Sequence, residues 1–154
     1  FAQDRKIYWE GYRVGGMPQS AASVGLKYSS PKFWYAGFNA NWFGNIYLDP
    51  NPDRRTAEAL QNLVTADPQW DELLDQTQLD DNISVDMYAG KSWMFKNKYR
   101  LAVNLTVSNV FDNQEFRIGG FEQLRYDRMN VDRFPPKYSY LFGRNYFAMV
   151  TFSF

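Results

Sequence analysis

The sequence predicts an all-β fold: a segment of a transmembrane antiparallel β-barrel, with short helices in one long loop. Three observations lead there. The first is the final stretch, Leu141–Phe154 (LFGRNYFAMVTFSF), which alternates. Tyr146, Ala148, Val150, Phe152 and Phe154 share one parity and are all apolar or aromatic; Asn145, Phe147, Met149, Thr151 and Ser153 share the other, which ends in two hydroxyls. Side chains on a strand point to opposite faces with period two. A strand that closes a barrel and faces lipid has this pattern; by itself, so does the last strand of a sandwich. The second is that the connections between strands alternate short, long, short, long. The third is that aromatic residues gather at the short-turn ends.

Taken in order, Phe1–Pro18 (FAQDRKIYWEGYRVGGMP) is aromatic, charged and glycine-rich without sustained periodicity, and reads as a loop tail or strand rim. Ala22, Val24, Leu26 and Tyr28 alternate with Ser23, Gly25 and Lys27, which predicts a strand over about 20–28. Ser29-Ser30-Pro31-Lys32 is a turn by composition. A second strand covers Phe33–Tyr47. Trp34, Ala36, Phe38, Ala40 and Trp42 form one face, and Tyr35, Gly37, Asn39, Asn41 and Asn45 the other. A row of asparagines in a packed core would leave many amides unsatisfied. A water-filled lumen removes that problem, and so does a polar face in bulk solvent.

Leu48–Asp81 is a long connection with structure of its own. Leu60, Leu63 and Val64 have helical spacing over 56–64. Asp67-Pro68, followed by Asp71 and Glu72, predicts a second short helix through about Leu74. A third strand spans Asn82–Phe95, with Ile83, Val85, Met87, Ala89 and Trp93 on one face. Lys91 breaks that parity near the strand's end, where its stem can reach an interface. Lys96-Asn97-Lys98 is a short turn. A fourth strand sets Tyr99, Leu101, Val103, Leu105 and Val107 against Arg100, Ala102, Asn104, Thr106 and Ser108. Val110–Tyr140 is again long, and the final strand follows.

Outer-membrane barrels have short periplasmic turns and long extracellular loops. Ser29–Lys32 and Lys96–Lys98 are short, Leu48–Asp81 and Val110–Tyr140 are long, and the carboxy terminus falls on the short-turn side. Tyr28, Phe33, Trp34, Trp93, Phe95, Tyr99, Phe152 and Phe154 cluster on that same side, as an interfacial girdle requires. Closing a membrane barrel takes at least about eight strands. The pattern therefore implies either the carboxy-terminal piece of a larger barrel or a partner that supplies the rest. The chain begins at Phe1 without an initiator Met or signal peptide, and reads as the end of something longer.

Composition narrows the function classes. The 17 basic and 17 acidic residues balance, so nothing points to nucleic acid. The chain has no cysteine, hence no disulfides or thiolate sites, and no histidine, which removes Ser-His-Asp and Cys-His catalysis and most zinc sites. No enzyme activity, cofactor or metal is expected. Asp80, Asp81 and Asp86 lack the spacing of a calcium loop and read as solvated acids at a strand rim.

Several motifs, in order, resemble the carboxy end of SusC/RagA-type TonB-dependent transporters. They are Gly90-Lys91-Ser92-Trp93, Ser108-Asn109-Val110-Phe111-Asp112-Asn113, Gly119-Gly120-Phe121-Glu122-Gln123 and Phe134-Pro135-Pro136-Lys137-Tyr138, with a terminal Phe. Gly15-Gly16-Met17-Pro18-Gln19-Ser20-Ala21-Ala22, Tyr47-Leu48-Asp49-Pro50-Asn51-Pro52 and Arg54-Arg55-Thr56 fit the same family, so the match covers nearly all of the chain. The resemblance implies the last five strands of a barrel of about 22 strands, in the cell outer membrane, with a plug that is not in this chain. It implies import of oligosaccharide or oligopeptide, energised through TonB, beneath a SusD-like surface lipoprotein. The remaining partners would be the rest of the barrel, outer-membrane lipid and the outer-membrane assembly machinery.

Candidate contact residues follow. Trp70 with Asp71 and Glu72 on the long loop could stack and hold a sugar, although a loop helix packed by Trp70 with solvated acids is the favoured reading. Glu122 and Arg125, with Tyr126, Asp127 and Arg128, either line a vestibule or brace their loop. Gly119-Gly120 and Pro135-Pro136 shape backbone. Tyr146, Val150, Phe152 and Phe154 resemble the carboxy-terminal signal by which barrels are recognised for assembly. A soluble β-rich carbohydrate-binding module remains the alternative from another class.

Overall fold

A computed structural model describes residues 5–61, 70, 73–125, 127, 130 and 133–154. Strands hold 55% of the chain and helices 9%, and the sheets are antiparallel, which establishes the all-β class. The strands are β1 (Pro18–Ser30), β2 (Trp34–Tyr47), β3 (Gln78–Leu79), β4 (Asn82–Phe95), β5 (Tyr99–Ser108), β6 (Arg117–Phe121), β7 (Lys137–Tyr140) and β8 (Asn145–Ser153). Two compact units emerge. A sheet unit comprises Ser20–Gly44, Asp81–Phe116 and Leu141–Phe154; a loop unit comprises Phe1–Gln19, Asn45–Asp80 and Arg117–Tyr140.

In the sheet unit the order is β1-β2-β4-β5-β8, with each strand beside its predecessor along this path. These are the five strands expected from the alternation. Between β4 and β5, Lys96 and Asn97 both take φ +51°, and the Lys98 N–H donates to the Phe95 carbonyl at 3.1 Å. Positive φ at both central positions suits the right-handed twist of the flanking strands. Between β1 and β2, the Phe33 N–H donates to the Ser30 carbonyl at 3.2 Å, and Phe33 itself has φ +57°. Phe33, expected in a strand, is thus part of the turn.

The final strand starts four residues later than its pattern suggests. The Arg144 N–H is taken by Asp112 Oδ1 at 2.7 Å and the Phe142 carbonyl by Asn109 Nδ2 at 2.9 Å. The Leu141 N–H goes to the Phe116 carbonyl at 2.9 Å. These groups are therefore committed to the segment after β5 rather than to a strand ladder, and β8 begins at Asn145. Asn109, at φ +50°, also binds Asn113 through both ends of its amide.

Among the described residues the buried apolar side chains of the loop unit are Ile46, Leu48, Ala59, Leu60, Leu73 and Leu79, and that of the sheet unit is Phe116. A 3-10 turn at Pro52–Arg55 leads into a short helix, α1 (Ala57–Leu60), whose N-cap Thr56 accepts from the Ala59 N–H at 3.2 Å. The helix expected over 56–64 is described only through Gln61. Trp70, Leu73 and Leu74 are helical, while Asp67, Pro68, Asp71 and Glu72 lie outside the described residues. Three strands were not anticipated. β3 pairs with the end of β2 (Ile46↔Leu79, Tyr47↔Gln78), and β6 pairs with β7. Gly120, at φ +152°, lies so close to the Lys137 carbonyl that a Cβ would stand 2.2 Å from it, which fits the backbone-shaping role expected of Gly119-Gly120.

Candidate functional site

Register decides what the sheet unit presents. Trp34, Phe38 and Trp42 on β2 stand opposite Lys91, Met87 and Ile83 on β4. Met87, Ala89 and Trp93 stand opposite Val107, Leu105 and Leu101 on β5, and Leu101, Val103 and Val107 opposite Phe152, Val150 and Tyr146 on β8. The apolar parities of β2, β4, β5 and β8 therefore fall on one face. Ser23 of β1 bonds Asn41 on the other side of β2, which leaves Val24 and Leu26 on this face as well; the face is open, with Val24, Leu26, Tyr146 and Val150 65–73% exposed and Met87, Leu105 and Phe152 exposed too. Each such side chain left in water forgoes about 1.5–3 kcal/mol relative to burial.

The opposite face carries hydrogen-bonded polar groups, beside the exposed Met94 of β4 and Phe147 and Met149 of β8. Ser23 Oγ donates to Asn41 Oδ1 at 2.8 Å, and Asn41 Nδ2 donates to Asp86 Oδ2 at 3.1 Å. Asp86 Oδ1 accepts from the Asn109 N–H at 3.0 Å. Asp86 is thus a half-buried member of a polar network, not a solvated rim acid. Two tyrosines lie flat on this face. A Cβ at Gly90 would stand 2.6 Å from the Tyr35 ring, and one at Gly37 would stand 2.7 Å from Tyr88. Tyr35 then reaches Asn104 on β5, donating at 2.6 Å. Glycine opposite tyrosine leaves room for a ring to cover the neighbouring backbone.

In the loop unit, Arg55 is 1% exposed and forms a buried pair with Glu122, 6% exposed. Arg55 Nη1 and Nη2 donate to Glu122 Oε2 and Oε1 at 2.5 and 2.8 Å. The remaining N–H groups go to the carbonyls of Asn51 (3.0 Å) and Asp75 (3.1 Å) and to the Tyr12 hydroxyl. Burial opposes the Arg55 charge, but the hydrogen bond and charge of Glu122 outweigh it and hold the guanidinium pKa above its ordinary value. Tyr12 donates onward to the Leu74 carbonyl, and burial pushes its phenol pKa up against the opposing pull of Arg55. Tyr12 also lines an open groove of about 590 Å³ with Tyr8, Trp9, Glu10 and Asp75. Trp9 is 46% exposed and lies 5.4 Å from the Tyr12 ring, so the groove offers an aromatic face beside two carboxylates.

The candidate residues scatter. Both oxygens of Glu122 are taken by Arg55, and Oε2 also accepts from the Asn51 N–H at 2.8 Å, so Glu122 braces its loop. Arg125 is exposed, with its guanidinium 5.9 Å from the Phe134 ring centre. Trp70 is half-buried; Asp71 and Glu72, like Tyr126 and Arg128, are not among the described residues. Tyr146, Val150, Phe152 and Phe154 are all exposed, with Phe152 stacked on Tyr99 at 6.0 Å. The groove and the Arg55 brace were not anticipated. The aperiodic aromatic run Tyr8-Trp9-Glu10-Gly11-Tyr12 is the one hint of the groove. Nothing local announces a pair 67 residues apart. Among the described residues no group of acids, histidines or cysteines is arranged to hold a metal ion. Compared with family models, curated proteins and solved structures, the chain matches none.

Proposed function

We propose that the sheet unit is a lipid-facing wall of an outer-membrane β-barrel, and that the chain is the carboxy-terminal part of a SusC/RagA-type TonB-dependent importer of oligosaccharides or oligopeptides. The observation that carries the first half is the single apolar face, five strands wide and exposed, with hydrogen-bonded polar groups opposite it. Lipid is the solvent for such a face, and a water-filled lumen is the solvent for its back. Among the described residues β1 and β8 each have one neighbour in the sheet order, and lipid does not tolerate unpaired strand edges. On this reading the rest of the barrel supplies strands on both sides. The second half rests on the ordered motifs. The plug, TonB, the SusD-like lipoprotein and the assembly machinery are partners of the whole transporter.

A second reading has one observation in its favour. The groove of Tyr8, Trp9, Tyr12, Glu10 and Asp75 has the aromatic and carboxylate chemistry of a sugar site, which a soluble carbohydrate-binding module would share. Partitioning separates the two. The intact protein should require detergent for extraction, and brominated acyl chains should quench the tryptophans of the apolar face, Trp34, Trp42 and Trp93. A folded monomer in detergent-free buffer, with unquenched tryptophans, would overturn the barrel.

A further inference from the structure

We infer that Lys91 and its aromatic neighbours form a binding site for the headgroup phosphate of an anionic phospholipid, in the leaflet that faces the short turns. The inference rests on the barrel reading above and goes beyond it.

Lys91 is the one charged side chain on the apolar face of the five strands. It stands opposite Trp34 on β2 and Val103 on β5. Its Nζ lies 5.5 Å from the centre of the Trp93 ring, on the same strand and face. Trp34 in turn packs against Tyr28 at 5.2 Å. A cation on a face of this kind needs a counter-ion, and the described residues offer none locally. Among the described residues Lys91 makes no ion pair. The sheet unit's carboxylates are elsewhere: Asp81, Asp112 and Glu115 flank the long connections, and Asp86 is on the polar face.

The depth is set by the turn. Trp34 is the first residue of β2, and the Ser92 N–H donates to the Phe33 carbonyl at 2.8 Å, so β4 at Lys91 runs beside the end of the β1–β2 hairpin. Tyr28, Trp34 and Trp93 are the residue types that settle at the boundary between hydrocarbon and headgroup. A lysine at that level extends its ammonium to the phosphate layer while its stem stays on apolar surface. Two indoles and a phenol flank the position, so the site combines one charge with aromatic walls for the glycerol and upper acyl chain.

The test uses the intact protein that contains this chain, in nanodiscs of phosphatidylglycerol and phosphatidylcholine, with retained lipid counted by native mass spectrometry after release. Wild type should retain phosphatidylglycerol over phosphatidylcholine. K91A should retain about fivefold less, the effect expected of one lysine at an anionic surface, and K91R should behave as wild type. Millimolar inorganic phosphate should not displace the lipid. Equal retention by K91A and wild type, or displacement by free phosphate, would overturn the site. Quenching of tryptophan fluorescence by brominated acyl chains, read in parallel, separates the two levels. Quenching with unchanged retention in K91A sinks this inference alone; absence of quenching in wild type sinks the barrel reading and the site with it.

Discussion

Arg55 spends all five of its N–H groups inside the loop unit, and Glu122 is the one carboxylate among the acceptors. Removing one partner leaves a buried ion without its counter-charge. Glu122→Leu or Arg55→Met alone should each cost about 3–5 kcal/mol of local stability. The double variant should cost less than the sum, because no orphaned charge remains. Hydrogen exchange at the Asp49 and Asn51 amides, measured in a double-mutant cycle, reads this; simple additivity would mean that the pair does not act as a unit. Asp112 makes a pH prediction. The Arg144 backbone N–H, and after it the Gln114 side chain, hold its pKa below the ordinary 3.8. A lowered carboxylate pKa contributes stability that is present above the unfolded value and lost as pH falls through the folded one. Protection of the Arg144 amide should therefore fall as pH drops below about 3.8, and Asp112→Ala should abolish that dependence. Neither residue's partners were legible in the sequence. Charge pairs across long loops leave no periodic trace, whereas Lys91 stood out because it broke one.

At the scale of elements, the five sheet strands were legible because each alternates over nine or more residues, and the turns between them carry Pro, Asn and Lys. β3, β6 and β7 were not, being two, five and four residues long, too short for a period of two to declare itself. The Gly119-Gly120 step in β6 reads as a breaker, yet it lets the chain approach β7. Gly120→Val should disrupt the β6–β7 pairing, with about 1–3 kcal/mol from backbone strain alone and more from the clash with the Lys137 carbonyl. Loss of amide protection at Tyr138 and Tyr140, with the β4–β5 amides unchanged, would confirm that the effect is local. The start of β8 was misread because apolar alternation says nothing about which partner a backbone group has already found.

For the molecule as a whole, the barrel reading makes the two faces of β8 unequal. Val150→Arg should cost about 2–4 kcal/mol in folding from denaturant into vesicles, while Thr151→Arg on the polar face should cost much less. Equal costs would argue for water on both sides. Deleting Phe154 from the full-length protein should lower the amount in the membrane; normal levels with impaired import would contradict an assembly role. What single-sequence reading could not supply was register. Alternation assigns each strand two faces, but only the pairing decides whether neighbours agree about which is which. Slipping one strand by a single residue would turn its apolar side to the opposite face, an error that lipid would reject on the barrel reading. A slip by two keeps every face correct, and hydrophobicity is blind to it. Tyr35 opposite Gly90 and Gly37 opposite Tyr88 are not blind. Shifted one way, Tyr35 would face Tyr88 and neither ring would have a glycine opposite it; shifted the other, Gly37 would face Gly90 and no ring would cover either. The two tyrosine–glycine pairs thus distinguish the observed register from a slip that the greasy face does not register.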